Sequence, residues 1–198
     1  MKLNNIYNLF SQDISKEIIL NIFPQFKYYE RLKIINSLNQ KLRDKYDNYL
    51  ILALLIIDQS NNYEYFCYKY KTSNNTKSRF KNISVNFENL KNKKFYSEEN
   101  IKKLIYKLGK DSVIDLLFFS LCIKNKMKTS DIEQLLDYVN RCEIPKFPIS
   151  GDNLKEYGYA TGEALGKKLK SLEEKWIENN FIMDKKIFEK SLDKINSN

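Results

Sequence analysis

The chain has 198 residues, 42% of them hydrophobic and 30% charged. That balance supports a buried core and excludes an intrinsically disordered protein. The formal net charge is +9 and there is no histidine, which favours a polyanionic partner and removes histidine bases, histidine metal ligands and the usual catalytic triads.

Composition leaves one alternative for the charge. Lys, Asn, Ile and Tyr are all abundant and all have A/T-rich codons, so codon bias could raise lysine without any RNA partner. Cys67, Cys122 and Cys142 are odd in number and widely spaced; they read as buried thiols in a reducing cytoplasm rather than a disulfide framework or zinc site. No signal peptide is visible at the start. The apolar run 49–57 is far shorter than the about 20 residues a bilayer requires, so a cytoplasmic protein without a membrane partner is expected. The scarcity of glycine and proline, 5 and 3, predicts long helices joined by short loops: an all-α fold.

In chain order, residues 3–10 and 14–23 read as two short helices, the second with an apolar face of Ile14, Ile18, Ile19 and Ile22. Pro24 ends it. Residues 27–43 read as one helix carrying Leu32, Ile35, Leu38 and Leu42. The run 50–57 is apolar all round and predicts a buried central helix, with a strand possible by composition. Tyr63, Tyr65, Phe66, Tyr68 and Tyr70 follow, and most of these rings are expected in the core. From Tyr65 to Phe87 there is no acidic residue, while Lys69, Lys71, Lys77, Arg79 and Lys81 fall in the same window. Within it Ser73 and Asn74 mark a helix start. Cations beside a helix N-terminus suit phosphate contact; an N-cap followed by a solvated charged face explains the same residues.

Lys91, Lys93 and Lys94 predict a basic loop, and Ser97 a cap for a helix that ends at Gly109. Another helix should run over about 110–123. Ser130 and Glu133 fit a capping box for a helix from Asp131. Asp111 and Asp115 lie four apart and could share a metal, although surface charge pairing is the commoner outcome. The stretch 144–181 holds Pro145, Pro148, four of the five glycines and Trp176. Ser150 should cap a short helix that Gly158 stops, and Thr161 a longer one on which Leu165, Leu169, Leu172 and Trp176 share a face. Lys167, Lys168 and Lys170 lie off that face. Gly166, inside the helix, suggests close approach of another backbone, protein or RNA. Asp184 caps a last helix, and residues 194–198 should fray.

That stretch resembles the C-terminal region of the bacterial CCA-adding tRNA nucleotidyltransferase and poly(A) polymerase family. The matching residues are Pro145, Phe147, Pro148, Ser150, Gly151, Asp152, Leu154, Gly158, Gly162, Gly166, Leu169, Leu172, Glu173, Trp176 and Phe181. Ser73, Asn74 and Arg79 resemble a motif of the family's helical body, as does 105–117. The resemblance covers roughly 20 to 190. It implies a fold like the helical body and tail of class II CCA-adding enzymes: about eight to ten helices, with a body-like region 1–143 and a tail-like region 144–198 packed as one unit. It implies tRNA or tRNA-like RNA as partner, held by Lys69, Lys71, Ser73, Asn74, Lys77, Arg79, Lys81, Lys167, Lys168 and Lys170.

The family departs from this chain where its chemistry lies. It transfers a nucleotide from CTP or ATP to an RNA 3′ hydroxyl, using Mg²⁺ held by an Asp-x-Asp pair in a β-sheet head. This sequence has no Asp-x-Asp and no Asp/Glu-Asp-x-x-Arg motif. No catalytic residue and no cofactor is therefore assigned to it; Mg²⁺ and CTP or ATP would belong to the missing head. The expectation is an RNA-binding helical part, inactive alone, that works with a separate catalytic head polypeptide. A protein-interaction piece, or a degenerate remnant without RNA activity, is the alternative. CCA and poly(A) addition are not distinguished.

Overall fold

The computed structural model describes residues 6–123 and 127–192, the side chains of Lys185 and Lys186 excepted. Residues 3–5 and 194–198, for which a helix start and fraying were expected, lie outside them. The described residues are all-α. Thirteen α-helices are present: α1 Ile6–Ser11, α2 Asp13–Ile22, α3 Leu32–Ser37, α4 Gln40–Arg43, α5 Asn48–Ile56, α6 Asn62–Lys69, α7 Asn74–Asn86, α8 Glu98–Leu108, α9 Lys110–Leu121, α10 Thr129–Arg141, α11 Gly151–Glu156, α12 Glu163–Glu178 and α13 Lys185–Ser191. Nine of them have seven residues or more, and short 3-10 turns cover Tyr29–Arg31, Asn89–Lys91 and Lys93–Tyr96. Backbone packing divides the chain into two compact units, Met1–Cys142 and Glu143–Asn198.

The first unit is built around α5. Leu50, Ala53, Leu54, Ile56 and Ile57 are all at most 2% exposed, as expected of a helix apolar on every side. A helix so enclosed must satisfy its terminal backbone groups with protein. Asp47 does this at the N-terminus, accepting from the Leu50 amide at 2.8 Å. At the other end Arg31 donates to the carbonyls of Leu54 and Ile57, at 3.0 and 2.6 Å. A carboxylate at the start and a guanidinium at the end both complement the helix dipole. Helix α9, with Val113, Leu116, Leu117 and Phe119 fully buried, packs on α5, α7, α8 and α10.

Capping chemistry sets most boundaries. Ser73 and Ser97 accept from the amides of Thr76 and Asn100. Gly109, at φ +82°, separates α8 from α9, a conformation that side-chain-bearing residues rarely take. Three boundaries differ from the sequence expectation. The helix expected over 27–43 is broken, because Leu38 is extended and Asn39 caps a new turn through the Leu42 amide; its four apolar residues are nevertheless buried. Helix α10 begins at Thr129, where the Asp131 carboxylate accepts from the Lys128 amide, rather than at a Ser130–Glu133 box. Thr161 caps nothing; Gly162, at φ +146°, precedes α12.

Burial differs between the faces of the first helices. No residue of α2 is buried, and Ile14, Ile18 and Ile22 are 77%, 53% and 58% exposed. The helix rests on its neighbours through Ile19 and Leu20 instead. On α6, Tyr63 and Phe66 are buried but Tyr65 and Tyr68 are not.

The second unit packs on Trp176. Phe147 and Phe181 set their rings 5.3 and 4.9 Å from it, and Leu154 and Leu172 are fully buried. Ser150 caps α11 through the Asn153 amide, Gly158 ends α11 at φ +87°, and Asp184 caps α13 through the Ile187 amide. Helix α12 ends with the Phe181 amide bonded back to the Trp176 carbonyl at 2.8 Å. Phe181 holds φ +64° there, a conformation that costs a bulky residue and is offset by its ring contact with Trp176. Gly166 is exposed, and a Cβ added to it would meet no described atom of this chain outside its own helix backbone within 4 Å.

Candidate nucleic-acid interface

The acid-free window folds into the α6–α7 hairpin. Helix α6 closes with the Thr72 amide bonded to the Cys67 carbonyl and the Lys71 amide to the Tyr68 carbonyl, a Schellman arrangement. Its left-handed residue is Lys71, at φ +49°, where glycine is usual. Lys69, Lys71, Ser73, Asn74, Lys77 and Lys81 are all exposed. Among the described residues none of the four lysines is ion-paired, and the Lys69 ammonium lies 5.4 Å from the Tyr70 ring. The Ser73 hydroxyl is 2.9 Å from that of Thr76 and accepts the Thr76 amide, so capping accounts for it fully.

Arg79 stands apart from these cations. Its Nε and Nη2 donate to the two carboxylate oxygens of Asp115, both at 2.7 Å. Its Nη1 donates to Asp47 Oδ2 at 2.6 Å, while Asp47 Oδ1 caps α5. Asp115 first among its partners, then Asp47, holds the guanidinium more firmly protonated than usual, against its own burial. Burial pushes the Asp115 carboxyl upward and Arg79 opposes it; bidentate geometry at these distances is that of an ionised pair. Arg79 thereby ties α7 to α9 and to the start of α5. Sequence reading grouped it with the phosphate-facing lysines; in the structure its Nε, Nη1 and Nη2 each donate to a carboxylate.

Beside this pair a polar cleft of about 580 Å³ is lined by Asp47, Arg79, Lys110, Asp111, Ser112 and Asp115, among others. Its lining carries charges of both signs. Both oxygens of Asp115 are engaged, which removes it as a partner for Asp111 at a cation. Among the described residues no group of three or more Asp, Glu, Cys or His could hold a metal ion. The donor set does not fit the Mg²⁺ of nucleotidyl transfer.

The other predicted cations belong to the second unit. On α12 Lys167 pairs with Glu163 at 2.7 Å, both well exposed, Lys168 is half-buried and Lys170 exposed. Tyr65 and Tyr68, on the same hairpin as Lys69, Lys77 and Lys81, are 59% and 85% exposed.

Residues 40–192 match the tRNA nucleotidyltransferase domain 2 family. The chain belongs to that family. It is also similar to the mitochondrial CCA tRNA nucleotidyltransferase 1 of Danio rerio, with 36% identity over 59 residues. That stretch is 30% of this chain and 14% of the relative, so the chain matches only a small part of the relative's length. No helix of the described residues is long and apolar enough to cross a membrane.

Proposed function

We propose that this chain is the RNA-binding helical part of a tRNA nucleotidyltransferase or poly(A) polymerase-like protein. It supports nucleotide addition to RNA 3′ ends only together with a separate catalytic head, which carries the Mg²⁺ and the CTP or ATP. The observation that supports this best is the family match across residues 40–192 in a sequence without Asp-x-Asp. Lys69, Lys71, Lys77, Lys81, Lys167, Lys168 and Lys170 are the phosphate contacts in this reading, fixing position without reading sequence. Ser73 serves by capping α7 and Arg79 by tying α7 to α9 and the start of α5; Asn74 opens α7. The test is incorporation of labelled nucleotide by the purified chain with Mg²⁺, CTP, ATP and tRNA lacking its 3′ end. None is expected, since metal-assisted transfer requires metal ligands. Incorporation by a contaminant-free preparation would overturn the proposal.

A second reading, docking of the head, is favoured by α2. Ile14, Ile18 and Ile22 form an exposed stripe at four-residue spacing, the pattern of a helix face that packs on another surface. Replacing all three by serine should abolish co-purification with a head polypeptide from the same organism and leave tRNA affinity unchanged. Loss of tRNA affinity with co-purification intact would contradict it.

A further inference from the structure

We infer that Tyr65 and Tyr68 form a stacking platform for an unpaired nucleobase, set beside the phosphate-contacting lysines of the α6–α7 hairpin. This rests on the RNA-binding reading above and adds to it a ligand class and two residues.

Tyr65 and Tyr68 are three apart on α6, which places them on the same outer face of the helix. The inward residues of the same helix, Tyr63, Phe66 and Cys67, are buried, so core packing does not explain the outward pair. Tyr68 is 85% exposed, and neither ring touches another ring or makes a hydrogen bond among the described residues. An aromatic face left open to water is available for π-stacking.

The surroundings select an anionic aromatic ligand. Lys69 and Lys71 follow Tyr68 in the chain, and Lys77 and Lys81 are exposed on α7, the other helix of the hairpin. The nearest carboxylate in sequence, Glu64, accepts from the Tyr63 hydroxyl at 3.2 Å. Arg79, the only other cation of the window, is turned to Asp115 and Asp47. Lys71 occupies a left-handed position where glycine would be less strained, and its exposed side chain adds a cation at the turn of the hairpin. Lysines contact phosphates and tyrosines stack bases; together they fit an RNA strand with an unpaired base, as a tRNA loop or 3′ end presents. A base stacks on tyrosine whatever its identity, so the platform tolerates sequence.

The test is equilibrium binding of a tRNA transcript to the full chain, with 2-aminopurine replacing one loop or 3′-terminal adenine in separate transcripts. Replacing Tyr65 and Tyr68 by alanine should weaken binding about five- to fifty-fold and abolish the quenching of one probe. Replacing both by phenylalanine should preserve affinity and quenching. Both positions are exposed, so circular dichroism should match wild type. Wild-type affinity and quenching in the alanine variant, with affinity still lost on K77E/K81E substitution, would overturn the platform and leave the RNA-binding reading standing. No tRNA binding by the wild-type chain would overturn that reading and the platform with it.

Discussion

Arg79 and Asp115 lie 36 residues apart and meet through two parallel bonds of 2.7 Å each. The Arg79 and Asp115 side chains are only 22% and 12% exposed, so removing one partner strands a charge in a partly dry site. Arg79→Ala should cost about 3 kcal/mol, the lower end of the range for broken buried pairs given the residual exposure of Arg79. Arg79→Lys should recover little of it, because an ammonium cannot span both oxygens of Asp115 and also reach Asp47. Urea denaturation checks this. An Arg79→Ala variant of wild-type stability and reduced tRNA affinity would return Arg79 to the RNA surface.

The sequence shows neither that pairing nor the contrast between Arg79 and its lysine neighbours. Local signals were legible: Ser73, Ser97, Ser150 and Asp184 cap the helices that follow them, and Gly109 and Gly158 end helices, because each acts within one turn. The apolar run 50–57 was legible because only burial suits a helix without a polar side. Asn39 broke a helix whose apolar spacing continues through it, since the same residues can be buried by two short helices. Ile14, Ile18 and Ile22 showed an apolar face, and spacing cannot say whether a face finds a partner within its own chain. Tyr65 and Tyr68 were lost among buried rings for the same reason.

Trp176 anchors the second unit between Phe147 and Phe181 and is 2% exposed. Trp176→Ala should cost about 3–5 kcal/mol through the cavity it leaves. An unchanged melting transition would show that the three rings are peripheral.

Cys122 gives the pH dependence. Burial, only partly opposed by the Tyr46 hydroxyl 3.4 Å away and by Arg31, pushes its thiol from an ordinary 9.0 up to about 12. A pKa raised on folding adds stability that is full below 9.0 and is lost as pH rises through about 12. Urea midpoints should therefore fall between pH 8 and pH 11, with a shallower fall in Cys122→Ala. Native Cys122 and Cys67, both buried, should resist iodoacetamide while half-exposed Cys142 reacts first. Prompt alkylation of Cys122 at pH 8 would contradict this.

The central claim is that the positive charge of the hairpin serves a folded RNA. Its most direct test is filter binding of tRNA, against an unstructured RNA of equal length, across a salt series. The account predicts tighter binding of tRNA and a steep fall of affinity with salt, as each neutralised phosphate releases counterions. K77E/K81E substitution should weaken binding and lower the slope of log affinity against log salt by about 2. Equal affinities for both RNAs, with no response to the double substitution, would leave the lysines as an accident of codon composition.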